Sequence, residues 1–280
     1  MDRSGLPPGA AVLADILAPL GSACVAFSGG VDSSLVLAAA TRVLGTDNVV
    51  AFTADSETYR AQELVDARAF AADLGVRHRV VRTNELSDPQ FAANPRERCF
   101  FCKSALLDEL VGVAREEGVA ALLDGANTDD LGDFRPGLAA CTERGVRHPL
   151  VEAGLDKAAV RELSQALGLA TWDKPQQACL ASRIPYGEPV DAGTLARIAA
   201  AEDVLRELGF RDFRVRHHGA IARIEVEEHE IERAAGAARA ELAGRLRALG
   251  FTYVTLDLIG FRSGSMNEAP HPQGGGSDAS

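Results

Sequence analysis

Through the first part of the chain, short apolar runs alternate with longer amphipathic ones. Cys24 to Phe27 and Asn48 to Thr53 read as buried strands, and Arg77 to Thr83 and Ala120 to Asp124 as a third and fourth strand. Helical patterns precede and separate them at residues 11–20, Leu35 to Leu44, Thr58 to Leu74, Ala105 to Glu117 and, further on, Lys157 to Leu167. Gly75 and Gly168 are ordinary helix stops. Strands alternating with helices predict right-handed βαβ units around a parallel sheet, an α/β domain over residues 11–186. The pattern changes beyond Tyr186-Gly187-Glu188-Pro189. A helix from about Ala192 to Leu208, strands at Phe213–His217 and Ile221–Val226, a helix over Glu228–Leu249 and a strand at Phe251–Ile259 predict a smaller C-terminal α+β domain, residues 187–262. Residues 263–280 are rich in glycine and serine and read as a disordered tail. No internal repeat is visible.

The turn after the first strand is Ser28-Gly29-Gly30-Val31-Asp32-Ser33-Ser34. Gly29 and Gly30 let the backbone turn sharply and approach a ligand closely. The first amides of the following helix face an anion with the positive end of the helix dipole. Ser28, Ser33 and Ser34 add hydroxyl donors, while Asp32 suits a phosphate cradle only if it holds magnesium or orients the nucleotide. A plain strand-to-helix turn would need none of these extras. The whole string resembles the pyrophosphate-binding loop of the PP-loop ATPases, and it lacks the Lys-Ser/Thr ending of a Walker A loop. That resemblance implies a HUP-like, adenine nucleotide alpha hydrolase fold cleaving ATP between the α and β phosphates. Asp55 and the Gly125-Ala126-Asn127-Thr128-Asp129-Asp130 turn fall at the same carboxyl edge of the sheet, where such folds bind ligands. Asp124, Asp129, Asp130 and Asp133 there fit either turn capping or a place at Mg²⁺-ATP.

Cys99-Phe100-Phe101-Cys102 is expected in a loop between Pro95 and the helix holding Lys103, and Cys179 stands alone in Lys174-Pro175-Gln176-Gln177-Ala178-Cys179. A C-x-x-C pair suits zinc, a redox dithiol or an iron–sulfur cluster. Structural zinc wants a fourth ligand that no second C-x-x-C or close Cys-His pair supplies; three cysteines with an open position suit a four-iron four-sulfur cluster. Cys24 and Cys141 read as structural. Arg214 and Arg216 share one face of their strand and His217 takes the other, so the arginines fit either a phosphate or a solvated face.

Charge and length then remove whole classes. A formal charge of -11 disfavours a broad nucleic-acid surface. No apolar run is long enough to cross a membrane, and the first residues lack a signal-peptide pattern. Five cysteines in 280 residues do not form a secreted disulfide framework, so a cytoplasmic protein is expected.

Taken together, SGGVDSS, NPRERCFFCK, LLDGANTDDLGDFRPG, WDKPQQACLASRIPYGEP and FRVRHHGAIARIEV resemble one PP-loop family, the LarE-type ATP-dependent sacrificial sulfur transferases of nickel-pincer cofactor synthesis. The resemblance implies a small-molecule pyridinium mononucleotide substrate whose ring carboxylate is adenylated by ATP and then converted to a thiocarboxylate. Cys179 matches the sulfur-bearing cysteine. Some members sacrifice that cysteine alone; others hold a four-iron four-sulfur cluster on three cysteines, which Cys99, Cys102 and Cys179 would match. Arg214 and Arg216 match phosphate-binding arginines, Glu202 lies in a helix whose matching glutamate is near substrate or a divalent metal, and Arg183 could meet a carboxylate or phosphate beside Cys179. The family assembles as a hexamer, so a homo-oligomer is implied. The rivals are a tRNA-thiolating PP-loop enzyme, which the charge disfavours, and an amide-forming ligase of the NAD or GMP synthetase type, which leaves the cysteines without work. A nucleotide-binding regulatory protein with a zinc or redox element is the third.

Overall fold

The computed structural model describes residues 8–132, 136–175 and 178–262. Asp133 and the tail at 263–280, both singled out by sequence, lie outside the described residues. The chain forms two compact units, Met1–Cys179 with Tyr186–Ala192, and Leu180–Pro185 with Gly193–Ser280.

In the first unit the elements run α1 (Pro8–Leu17), β1 (Ala23–Ala26), α2 (Val31–Leu44), β2 (Val49–Asp55), α3 (Ala61–Asp73), β3 (Arg77–Arg82), α4 (Pro89–Ala92), α5 (Arg98–Glu117), β4 (Ala121–Leu123), α6 (Pro136–Glu143), α7 (Pro149–Glu152) and α8 (Lys157–Ala166). The sheet order is β3-β2-β1-β4, and every pairing is parallel. Neighbouring residues of one strand enter different cores. Val25 and Ala51 pack with Leu13, Leu35, Val36 and Leu163, whereas Cys24 and Val50 pack with Leu107, Leu110 and Ala140. Both faces are therefore covered by helices, which is why β1 and β2 read as continuous apolar runs rather than alternating ones, while the edge strand β3 is polar and half-buried. Each fully buried leucine in these layers contributes roughly 1.5–3 kcal/mol. The order reverses between β1 and β4, so the crevice beyond β1 is the expected ligand position of an open α/β sheet.

The second unit holds α9 (Ala192–Glu207), β5 (Phe213–His218), β6 (Ile221–Val226), α10 (Ile231–Ala235), α11 (Arg239–Ala248) and β7 (Tyr253–Leu256). β5 pairs antiparallel with β6, and β6 pairs parallel with β7. Phe213, Val215, Ile224, Val226, Leu242, Leu246 and Phe251 form its core.

Two sequence expectations change. Cys99 and Cys102 lie inside α5 rather than in a loop. The helix begins early because Arg98, only 3% exposed, is anchored to Asn94 and lies 5.6 Å from the Tyr186 ring centroid. The expected helix over Glu228–Leu249 breaks at Gly236, whose φ of -106° and ψ of -97° are not helical and where a Cβ would meet the Glu232 carbonyl oxygen at 3.0 Å. Among the described residues, no helix is long and apolar enough to cross a membrane.

Candidate active site

The SGGVDSS turn joins β1 to α2. Gly29 has φ +74°, a left-handed conformation that favours glycine, and Gly30 is the N-cap of α2. The loop is tied internally: the Ser28 amide donates to Ser33 Oγ at 3.2 Å, and Ser33 Oγ donates to the Gly30 carbonyl at 3.2 Å. The Gly125 turn lies against it. A Cβ on Gly125 would stand 2.7 Å from the Ser33 amide nitrogen and 2.9 Å from its Cα, so only glycine permits this approach. From the same turn Asn127 Nδ2 donates to Asp32 Oδ1 at 3.1 Å, while Lys157 Nζ donates to Asp32 Oδ2. Asp129 Oδ2 accepts from the Lys157 amide at 3.1 Å, and Asp130 Oδ2 accepts from the Asn127 amide at 3.0 Å. Asp129 and Asp130 thus do the capping work that Asp residues supply at turns. Lys174 backs the loop, donating to the Gly29 carbonyl at 3.2 Å and to Glu63 Oε2 at 2.7 Å. Asp55 ends β2 and is exposed at the carboxyl edge of the sheet.

Asp124, directly before Gly125, is 5% exposed. Its Oδ1 accepts from the Ala126 amide at 3.1 Å and pairs with His148 Nδ1 at 2.7 Å, while Cys141 Sγ donates to its Oδ2 at 3.4 Å. Lys103 Nζ lies 3.9 Å from Oδ2. Burial alone would raise the Asp124 pKa, but the His148 hydrogen bond, Lys103 and the Ala126 amide outweigh it and hold the carboxyl below its usual range. The Asp124 hydrogen bond raises His148, against the opposing effects of burial and Lys103. The stabilisation from His148 is therefore fully present below the ordinary histidine value and is lost as pH rises through the raised one. That from Asp124 is present above the ordinary carboxylate value and is lost as pH falls through the depressed one. Urea midpoints should fall more steeply above about pH 6.5 for the native chain than for His148→Gln; parallel curves would mean the pair contributes nothing.

All three thiols lie within electrostatic reach of Tyr59, in the loop that follows β2. Cys99 is exposed, and Cys102 and Cys179 are half-buried. Burial pushes the Cys102 thiol well up, and Cys179, Glu85 and Cys99 push it the same way. Tyr59 is 36% exposed overall, but its hydroxyl end is buried. Burial, followed by Cys102, Cys179, Glu85 and Cys99, raises its pKa well above the tyrosine range, so it remains a donor. Glu85 is a buried hub, with Oε2 accepting from Ser56 Oγ at 2.7 Å and Oε1 from Thr83 Oγ1 at 2.9 Å, and with Cys102 Sγ 4.0 Å away. Among the described residues, no three His, Cys, Asp or Glu side chains stand close enough to hold one metal ion. Cys24 and Cys141 are fully buried, and burial raises both thiols to about 12, as befits structural cysteines.

In the second unit, Arg183 is fully buried and its guanidinium forks onto Glu202, Nε to Oε1 at 2.8 Å and Nη2 to Oε2 at 3.1 Å. Glu202 Oε1 also accepts from the Val215 amide at 3.3 Å. Sequence reading offered both residues to a ligand; in the structure they pair with each other. Arg216 forks onto Glu225 Oε2 at 3.0 and 2.8 Å, and Arg223 Nη2 donates to Glu225 Oε1 at 3.0 Å. Arg214 stacks on Phe261, 4.7 Å from the ring centroid. Burial, with Arg183 and Arg216 nearby, lowers its pKa to about 10. Arg214 and Arg216 are both buried, so theirs is not a solvated strand face. Asp257 Oδ2 also lies 3.8 Å from Arg223 Nε.

Lys157, Asn127, Lys174, Glu85 and Tyr59 were not picked out from sequence. Lys174 lies inside a string already quoted and Asn127 inside another. Lys157 read only as the start of a helix, and Glu85 and Tyr59 carry no local signal.

A parallel sheet with a serine- and glycine-rich loop at its switch point defines an adenine-nucleotide-binding α/β domain. The asparagine synthase family model matches residues 19–133. An uncharacterized Synechocystis protein is 47% identical over 249 residues, 89% of this chain and 92% of its own length. The pyridinium-3,5-bisthiocarboxylic acid mononucleotide synthase of Lactiplantibacillus plantarum is 42% identical over 258 residues, 92% of this chain and 93% of its own. An NH(3)-dependent NAD(+) synthetase of Chlorobaculum tepidum is 35% identical, but over only 75 residues, 27% of either chain. The chain belongs to the LarE-type family of PP-loop ATP-dependent sulfur transferases.

Proposed function

We propose that this chain adenylates a ring carboxylate of a pyridinium mononucleotide and replaces it with a thiocarboxylate. A carboxylate oxygen forms a bond to the α-phosphorus of magnesium-bound ATP, and the bridging P–O bond breaks with its electron pair leaving on pyrophosphate. Sulfur then attacks the acyl carbon, and AMP departs with the C–O pair. Adenylation is needed because a bare carboxylate is a poor electrophile.

The Ser28–Ser34 loop, with Gly125 against it, handles the phosphates in the first unit. Arg214 and Arg216 in the second unit take the mononucleotide phosphate, Arg183 and Glu202 holding the frame around them. The observation that carries the sulfur assignment is that Cys99, Cys102 and Cys179 all lie within electrostatic reach of Tyr59. Their spacing does not suit one metal ion. On the family resemblance, the three thiols would hold a four-iron four-sulfur cluster. When bound, that cluster would supply an extra sulfide; without it, Cys179 is the single-use donor, losing its sulfur and its α-proton to become dehydroalanine.

Iron and acid-labile sulfide, measured after anaerobic purification together with pyrophosphate release, test the reading. About four iron per chain, with pyrophosphate release dependent on a pyridinium dicarboxylate mononucleotide, is expected. Protein that stays iron-free after reconstitution would return the role to Cys179 alone. Absence of pyrophosphate release with any such carboxylate would favour a nucleotide-binding regulatory protein.

A further inference from the structure

His148 is half-buried beside the turn that meets the SGGVDSS loop, and the backbone fixes it there. The Arg147 amide donates to the Leu122 carbonyl at 2.9 Å and the Asp124 amide to the Arg147 carbonyl at 3.1 Å, so Arg147 pairs in parallel with Leu123 of β4. His148 Nδ1 then meets Asp124 Oδ1 at 2.7 Å. The same oxygen accepts from the Ala126 amide at 3.1 Å, and Cys141 Sγ donates to Oδ2 at 3.4 Å. The carboxylate of the buried Asp124 is thus taken up inside the protein, where it fastens the turn. Between Asp124 and Ala126 stands Gly125, at which a Cβ would come within 2.7 Å of the Ser33 amide nitrogen. One carboxylate therefore links the histidine to the first turn of α2. The other charges that reach His148 are Lys103 from α5 and Glu152 from α7. Glu152 is engaged by Arg147, and Lys103 Nζ stands 3.9 Å from Asp124 Oδ2. Arg144 of α6 pairs with Asp108, and Cys141, pushed up to about 12 by burial, stays a neutral thiol.

We infer that His148 is a positioning residue for the nucleotide loop: through Asp124 it fixes the Gly125 turn against Ser33, and its charge makes the affinity for ATP depend on pH. Because Asp124 is ionised, Nδ1 carries a proton whether the ring is charged or neutral. The turn is therefore held in both states, and only the charge changes. With the imidazolium present, the buried pair adds no net charge beside the amides that open α2 and favour an anion. With the neutral ring, Asp124 is an incompletely cancelled negative charge that opposes the phosphates. The sign follows from linkage: bound phosphates favour the protonated ring, so binding takes up a proton and weakens as pH rises through the histidine range. No proton passes between His148 and Asp124, and both act through the turn.

This rests on ATP binding at the loop and not on the sulfur steps. Calorimetric titration of the full chain with α,β-methylene-ATP at fixed magnesium, from about pH 6 to about pH 8.5, reads it without turnover. The control is His148→Asn, whose amide keeps a donor to Asp124 without a charge; the nucleotide's own ionisation cancels in that comparison. At the acid end the native chain should bind about fivefold more tightly than His148→Asn, and at the alkaline end the two should converge. In buffers of different ionisation heat, the native chain should take up more protons on binding than the variant. His148→Leu removes the donor as well and should bind more weakly than His148→Asn at every pH. If the leucine variant does not fold, the native and asparagine chains still decide. Parallel affinity profiles with equal proton uptake would overturn the inference, because a histidine of purely structural role moves neither. Absence of analogue binding at every pH would overturn the nucleotide reading itself, and the inference with it.

Discussion

Cys179→Ala should leave pyrophosphate release within about twofold of native while lowering thiocarboxylate formation by at least about a thousandfold, as removal of a nucleophile does. The separation follows from where the groups lie. The loop contacts run through Ser33, Gly125, Asn127, Lys157 and Lys174. Cys179 instead shares its surroundings with Cys102, Cys99, Glu85 and Tyr59. Adenylation therefore needs no sulfur, and sulfur transfer needs adenylation. The same result is expected whether Cys179 gives up its own sulfur or holds one corner of a cluster, so iron content is measured beside it. Phosphate and pyrophosphate assays coupled to mass spectrometry of the product read both steps in one reaction. Loss of pyrophosphate release in this variant would mean that the sulfur residues also shape the nucleotide site, and the two-step division would be wrong.

The PP-loop domain was largely legible because its signals are local. A strand, paired glycines and a helix start occupy consecutive positions, and the parallel sheet follows from apolar runs separated by helical ones. The crowded Gly125 approach to Ser33 was visible only as a glycine in a turn, since the clash that requires it comes from another element. Lys157 reaches Asp32 across the fold, and no spacing rule links a helix's first residue to a turn so distant in sequence. Glu85 is silent for the same reason, its hydroxyl partners coming from the ends of β2 and β3. The C-x-x-C pair was read as loop because cysteine and phenylalanine give little helical signal. The tertiary anchoring of Arg98 decided the matter. Buried charge is the least legible property of all: Arg183 carries the polar signature of a ligand residue yet is fully enclosed.

That enclosure sets the largest expected stability effect. Glu202→Ala should cost about 3–5 kcal/mol, because it leaves the guanidinium of a fully buried arginine without its counter-ion. The same change removes the acceptor of the Val215 amide, so the 180–183 turn, α9 and β5 lose their common tie. Glu202→Gln keeps an oxygen for that amide and should recover part of the loss, though not the charge. The double replacement Arg183→Met with Glu202→Leu should be far milder than Glu202→Ala alone, since buried ion pairs often contribute little against packed apolar groups of similar volume. Chemical denaturation of the four proteins measures this directly. Equal losses in Glu202→Ala and the double variant would show that the cost is lost packing rather than an orphaned charge. If the double variant folds well but no longer binds the mononucleotide, the pair is kept for the positive field it helps to arrange around Arg214 and Arg216. Stability alone would then not explain why this chain buries charges there.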